Sequence, residues 1–200
     1  MFKNRDIILT IAVILHFQGL YCQEINKLNE KGNKQGVWKE SIDDLPNIDY
    51  ALISYEDGIR NGELKSYYKN GNIATYVIYK NNEIDSILKN YYLNGELKYL
   101  INYDKGEKDG LFMEFTKEGI LKLEKKYCDG IICDFYKEYY DNGNLHISVK
   151  ISYNKKGDKI EKWKVFYENG KLMSSGMKKN NKNIGVWKKF TEQGELIKNK

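Results

Sequence analysis

The sequence predicts an all-β protein, a single-layer antiparallel meander of about seven β-hairpin repeats with a period of about 24 residues. Two observations predict this fold. Six glycines are separated by 24, 24, 24, 27 and 24 residues, and each is followed two positions later by Ile or Leu. Between them, apolar and polar residues alternate. A fixed period with matching residue types is typical of a repeat architecture. The repeated glycines are Gly71, Gly95, Gly119, Gly143, Gly170 and Gly194.

The segment after each repeated glycine alternates with period two. Leu97, Tyr99 and Ile101 are expected on one face of a strand, with Lys98 and Leu100 on the other. Such alternation indicates a half-buried strand, which β-branched and aromatic residues favour. The segment before each glycine is then the other strand of a hairpin.

The dipeptides at the repeated glycines indicate the turns. Four of the six are Asn-Gly, which supplies the positive φ of a tight hairpin turn. The other two are the weaker Glu-Gly and Gln-Gly. We therefore predict that all six glycines are structural turn residues.

Three columns of residues recur in the strand before each turn. The bulky column is Trp38, Leu64, Leu88, Phe112, Tyr136, Trp163 and Trp187. The lysine column follows it directly, as Lys39, Lys65, Lys89, Met113, Lys137, Lys164 and Lys188. The ring column is Tyr67, Tyr91, Phe115, Tyr139, Phe166 and Phe190. The bulky and ring columns have opposite parity, so either a β-bulge returns them to one face or both faces carry aromatics.

The first residues have the pattern of an export signal. Lys3 and Arg5 form a short basic segment, and residues 7–17 are mostly apolar but too few to span a bilayer. We predict a signal peptide at 1–22, cleaved after Cys22 or kept as an uncleaved anchor. The alternative is a lipoprotein acylated at the same cysteine, although a tyrosine stands where lipoprotein signals favour a small residue. The expected location is therefore the periplasm, the cell envelope or the medium of a bacterial cell.

The chain divides into the signal at 1–22, a polar lead-in at 23–35 and the repeat array at 36–200. Charged residues make up 30% of the chain and aromatic residues 14%, and so many aromatics are unlike a disordered polar segment. The formal net charge is +5, and it becomes +4 when two basic residues and one acid leave with the signal. The charge is spread without a block of one sign, so no nucleic-acid partner is expected.

The few cysteines and histidines limit which disulfide, metal and catalytic sites the chain can form. Cys128 and Cys133 bracket a predicted hairpin loop, and either a disulfide or two free thiols suits that position. No metal site and no cofactor are expected, because the only histidines are His16 and His146. His146 falls on the polar side of its strand and no carboxylates form a recognisable acid–base pair. We therefore expect no enzymatic activity.

A family resemblance is carried by the motif G-x-W-K-x-Y-Y-x-N-G-x-L with a tyrosine about six residues later. Residues 87–97 and 162–172 show it most clearly, and the resemblance covers residues 32–200. This motif resembles the MORN-variant repeat, found in many bacterial proteins described as YwqK-type antitoxins. The resemblance implies a binding protein, and one that neutralises a toxin.

The expected function is that of a non-enzymatic, exported repeat protein that binds a protein partner, a toxin or an envelope protein, through an extended sheet face. The alternative is a cell-envelope scaffold that binds lipid or glycan and self-associates. Membrane contact is expected only through the signal or an anchor. Exposed rings are expected to anchor the partner and lysines to orient it. The candidate partner-binding residues are Trp163, Tyr139, Lys164, Tyr91, Lys137 and Phe166.

Overall fold

A computed structural model describes residues 25–42 and 45–198. They form one antiparallel sheet of fourteen strands, each paired with its neighbours in sequence, which confirms the predicted all-β meander. No helix in these two ranges is long and apolar enough to cross a membrane. The predicted signal at 1–22 lies outside the described residues. The strands are β1 (Lys27–Leu28), β2 (Lys34–Ser41), β3 (Ile48–Glu56), β4 (Ile59–Tyr68), β5 (Ile73–Lys80), β6 (Glu83–Tyr91), β7 (Leu97–Asp104), β8 (Glu107–Phe115), β9 (Leu121–Cys128), β10 (Ile131–Tyr139), β11 (Leu145–Tyr153), β12 (Lys159–Phe166), β13 (Leu172–Lys179) and β14 (Lys182–Lys189).

Two kinds of turn alternate along the sheet. In five hairpins an odd strand is joined to the next even strand by two residues with positive φ, as at Asn81 (52°) and Asn82 (68°) between β5 and β6. Such turns match the twist of the paired strands. The repeated glycines close wider loops, in which the Tyr92 N–H donates to the Glu96 carbonyl at 2.8 Å. All six repeated glycines have positive φ, and Gly95 is at 92°.

A one-residue bulge follows each wide loop and decides which side chains share a face. Asn90 pairs with Tyr99 but Tyr91 pairs with Leu97, which leaves Lys98 as the extra residue. Directly opposite residues of an antiparallel pair lie on the same face. Leu97 therefore lies on the face opposite Tyr99, and the expectation that they share a face is wrong. The period-two pattern holds only beyond the bulge.

The two faces of the sheet have different residues. We call the face that carries the bulky column the tryptophan face, and the opposite face, with the lysine and ring columns, the lysine face. The bulge lies in the partner strand, so β6 alternates regularly from Leu88 to Tyr91 and these two side chains point to opposite sides. Of the two alternatives left by the sequence, aromatics on both faces is the one observed.

The most deeply buried apolar side chains lie on the tryptophan face. Register places Trp38 opposite Ile53, and Ile53 opposite Leu64. These residues form one cluster with Ala51 and Tyr55. A single sheet has no second layer, so the side chains of one face must cover one another. Buried apolar residues on this face are Ala51, Ile53, Tyr55, Val77, Val149 and Ile151.

A second set of tyrosines, one residue after the ring column, joins each unit to the next. The Tyr92 hydroxyl donates to the Phe115 carbonyl at 2.9 Å. In the fourth unit Thr116 stands in this position, and its hydroxyl instead accepts from the Glu118 N–H of its own turn at 3.2 Å. The sequence alone indicated no role for these tyrosines. The residues that make the contact are Tyr68, Tyr92, Tyr140 and Tyr167.

The segment predicted as a polar lead-in contributes to the first edge of the sheet. Lys27 pairs with Gln35 and Leu28 with Lys34. The Trp38 indole N–H also donates to the Lys27 carbonyl at 3.0 Å. At the far end β14 forms the last full strand, and Phe190 is bridged to Leu196 beyond it.

Candidate functional site

The lysine column lies in one continuous row across thirteen strands of the lysine face. Each member of the row is directly opposite the next in the strand register. Lysines of successive units are two strands apart, which is roughly 10 Å. The row runs Lys39, Leu52, Lys65, Tyr76, Lys89, Leu100, Met113, Glu124, Lys137, Ser148, Lys164, Ser175 and Lys188.

Lysines in the first part of the row already have intramolecular partners. The Lys39 ammonium lies 3.9 Å from the centre of the Tyr50 ring. Lys65 contacts Glu63 at 2.6 Å. The ammonium groups of Lys39 and Lys65 are therefore less available to a binding partner.

The last part of the row is different. Lys164 and Lys188 flank Ser175, and Lys150 lies directly opposite Lys162 on the same face. All four lysines are exposed, and no carboxylate among the described residues forms an ion pair with any of them. We call Lys150, Lys162, Lys164 and Lys188 the lysine patch. Two of its members, Lys164 and Lys188, belong to the row, and Lys150 and Lys162 lie beside it.

Two of the candidate partner-binding residues share one carboxylate. Glu124 accepts hydrogen bonds from Lys137 Nζ and from the Tyr139 hydroxyl, both at 2.6 Å. Burial, and then this hydrogen bond, hold the pKa of Tyr139 well above its ordinary value. Burial alone would raise the pKa of Glu124, but its two hydrogen bonds leave it lowered. This contact fixes the Tyr139 ring beside Lys137.

The structure divides the six predicted partner-binding residues between the faces. Trp163 lies on the tryptophan face, opposite Val149 and Gly176. It therefore does not share a surface with its neighbour Lys164. The five on the lysine face are Tyr91, Lys137, Tyr139, Lys164 and Phe166.

Strand β12, which carries Trp163, departs from the other units. A five-residue loop, residues 154–158, precedes it where five other hairpins have two residues, and this accounts for the 27-residue spacing. β12 also pairs with β11 without a register shift. Glu161 consequently occupies the place of a positive-φ bulge residue. That place is held in the other even strands by Gly36, Gly62, Ser86, Gly110, Asp134 and Gly185.

Glu161 is a buried carboxylate, with 6% of its surface exposed. Lys159 Nζ lies 2.6 Å from Oε1, and the Trp163 indole N–H donates to Oε2 at 3.2 Å. Burial raises the pKa of Glu161, but these two hydrogen bonds outweigh it, so the pKa lies below its ordinary value. Lys178 places its ammonium 4.2 Å from the centre of the Trp163 ring. The charge of Glu161 is thus matched within the protein.

A cavity of about 270 Å³ opens on the tryptophan face beside Glu161. Its apolar lining comes mainly from β11, including Val149, which is 2% exposed. Tyr136 and Trp163 contribute rings, and Glu138 contributes a second carboxylate. The Tyr136 hydroxyl donates to Glu138, and burial, followed by this bond, raises the pKa of Tyr136 well above its ordinary value.

Metal binding finds no support in the described part of the chain. It contains no group of three or more histidine, cysteine, aspartate or glutamate side chains that could hold a metal ion. The polar groups of the cavity are carboxylates, a phenol, an indole and one ammonium. They suit ion pairing and ring stacking.

Cys128 and Cys133 form a disulfide across the β9–β10 hairpin, with their Cα atoms 5.8 Å apart. Of the two alternatives that the sequence allowed, the structure contains the bonded form. The bond closes a loop of only a few residues around Asp129 and Gly130.

We expect replacement of both cysteines by serine to destabilise the β9–β10 hairpin by no more than about 2 kcal/mol, because a short loop loses little chain entropy when it is closed. Hydrogen exchange of β9 and β10 amides would measure the change. Reduction of the wild-type protein should reproduce it. Increased exchange throughout β2–β8 in the same variant would contradict the expected local effect.

Three of the repeat units match a known family. A family model described as MORN repeat variant matches residues 60–81, 85–105 and 162–178. The chain contains MORN-variant repeats. Each matched segment covers an even strand, the wide glycine loop and the following odd strand. The remaining units form hairpins of the same kind in the sheet. No curated protein matches the chain.

Proposed function

We propose that this MORN-variant repeat protein is exported and binds a protein partner, without enzymatic activity, through its lysine face. The observation that carries the proposal is the continuous row of lysines and intervening side chains on one open sheet face. The ring column lies on the same face and supplies half-buried aromatic anchors. Aromatic side chains are among the types that most often carry the binding energy of protein interfaces, and surface charges steer the approach of a partner.

The lysine patch is the proposed centre of this surface. Its four ammonium groups lie on β11, β12 and β14, with β13 between the last two, and they form no ion pair with a described carboxylate. Phe166 lies on the same face of β12, two residues after Lys164. A partner with an acidic surface would meet the patch and place apolar groups against the adjacent ring. Complementary charges of this kind mainly raise the association rate and fix the orientation.

We expect the double replacement Lys164→Glu and Lys188→Glu to weaken partner binding by at least about tenfold, since it turns attraction into repulsion at two positions. The partner is first isolated from the exported fraction with the wild-type chain and then purified. Its dissociation constant is measured by calorimetry at two salt concentrations.

The matched control is Lys39→Glu, which changes the same column at the opposite end of the row. That lysine is engaged by Tyr50, so binding should change little. Equal loss in the control, or no loss in the double variant, would refute the lysine patch as the binding surface. If the wild-type chain retains lipid or glycan from the exported fraction and no protein, the alternative of an envelope scaffold would be favoured.

Toxin neutralisation is the specific form of this proposal that the family resemblance suggests. It requires that the isolated partner be toxic when produced alone and harmless when the chain is produced in the same compartment. Export is tested by fractionation of cells that produce the chain with and without residues 1–22. A non-toxic partner would leave general protein binding as the function.

A further inference from the structure

The cavity on the tryptophan face has the size of one amino-acid side chain. Its volume is about 270 Å³, slightly below the range of roughly 300–1,000 Å³ that is usual for small-molecule sites. Val149 and Ile147 supply apolar surface, and Tyr136 and Trp163 supply rings. An aliphatic chain that ends in a planar polar group would match these walls.

The two carboxylates of the cavity differ in how they are neutralised. Glu161 has the ammonium of Lys159 at 2.6 Å. Glu138 accepts a hydrogen bond from the Tyr136 hydroxyl, which is neutral. The basic group nearest to Glu138 is the His146 imidazole, whose Nδ1 lies 3.9 Å from Glu138 Oε2. Among the described residues no lysine or arginine forms an ion pair with Glu138. The cavity therefore has an unmatched negative charge beside an aromatic ring.

We propose that this cavity binds the side chain of one arginine presented by a protein partner. Its guanidinium pairs with Glu138 and stacks on the Tyr136 ring, while its methylene groups lie over Val149 and Ile147. A guanidinium suits the site because it is planar, weakly hydrated and able to form two parallel hydrogen bonds with one carboxylate. Stacking of the cation on an aromatic face adds to the attraction.

The lining disfavours other ligands. An anion would face Glu138 and Glu161, with Lys159 as the one lysine in the lining and Lys178 over the Trp163 ring. A neutral apolar group would cover Glu138 without pairing it, and burying an unpaired charge is costly. The departure of β12 from the other units creates the site, because it places Glu161 in the sheet and the Trp163 indole N–H against it. The site lies on the face opposite the lysine patch, so it does not depend on the proposed function.

The test uses the full chain and a blocked arginine amide as the probe, with blocked citrulline amide as its neutral equivalent. Binding is followed by nuclear magnetic resonance at the Trp163 indole N–H, which is assigned from a Trp163→Phe variant. We expect saturable shifts with the arginine probe and none with citrulline. Glu138→Gln should weaken arginine binding by about tenfold, since it removes the charge and keeps the shape.

The matched control is Glu114→Gln, at the equivalent position one unit earlier and outside the cavity. It should bind the arginine probe as the wild type does, and so should the double variant at Lys164 and Lys188. Unchanged spectra of the other strands would show that Glu138→Gln remains folded. Equal binding of citrulline, absence of any shift, or equal loss in Glu114→Gln would overturn the proposal.

Discussion

Replacement of Gly176 by valine is expected to destabilise β13 and β14 by about 3 kcal/mol, the upper part of the range for overpacking. A Cβ atom at this position would lie 2.2 Å from Cδ2 and 2.6 Å from Cγ of Trp187. Because Cγ is close to the backbone, the whole indole must move. The other units carry a side chain at this place, such as Val149 in β11, whereas here the Trp187 ring fills the space.

The effect should remain at the C-terminal end of the sheet, because each repeat of such an array contacts mainly its neighbours. Hydrogen exchange should rise in β13 and β14 and stay unchanged in β2–β8. The control Ser175→Val adds similar bulk on the lysine face and should change stability by less than about 0.5 kcal/mol.

A double-mutant cycle separates the steric cause from other effects of valine. In a Trp187→Ala background, Gly176→Val should cost much less, since the atoms that it meets are absent. Equal destabilisation in both backgrounds would show that the ring contact is not the cause. Trp187 Nε1 is buried without a hydrogen-bond partner among the described atoms, so loss of this ring releases an unsatisfied donor as well.

Replacement of Ile53 by alanine is expected to lower the free energy of unfolding of the N-terminal units by about 2–4 kcal/mol, in line with large-to-small changes in packed cores. Ile53 is 4% exposed and lies at the centre of the cluster with Ala51 and Tyr55. No second layer can move in to fill the space. Trp38 and Leu64, which stand opposite Ile53 on the two adjacent strands, lose packing directly.

Ile59→Ala is the matched control, because the same type of side chain is 40% exposed at the start of β4, within the N-terminal units. It should change stability by less than about 0.5 kcal/mol. Chemical denaturation followed by the fluorescence of Trp38, with Trp163 and Trp187 replaced by phenylalanine, reports the N-terminal units. Equal effects of the two alanine variants would mean that burial on the tryptophan face does not stabilise the array.

The sequence indicated which residue types recur along the strands. It did not indicate which face of the sheet each candidate binding residue occupies. The lysine and ring columns follow directly from the repeat, and the structure puts Lys164 and Phe166 on one face. Trp163 belongs to the bulky column. It lies on the opposite face because successive residues of a strand alternate between faces and Trp163 directly precedes Lys164. The sequence alone indicated no role for Glu161. Its burial depends on the five-residue loop and on the unshifted register of β12.

The sequence alone determined the all-β repeat, its period and the positions of the wide turns, because these depend on local glycine geometry and on alternation along each strand. Only the tertiary structure decided which side chains share a face. A one-residue bulge after each wide loop places the residues before and after it on opposite faces of the sheet, as for Leu97 and Tyr99. The cavity at Glu161 likewise depends on pairing between strands, because its walls come from β10, β11 and β12.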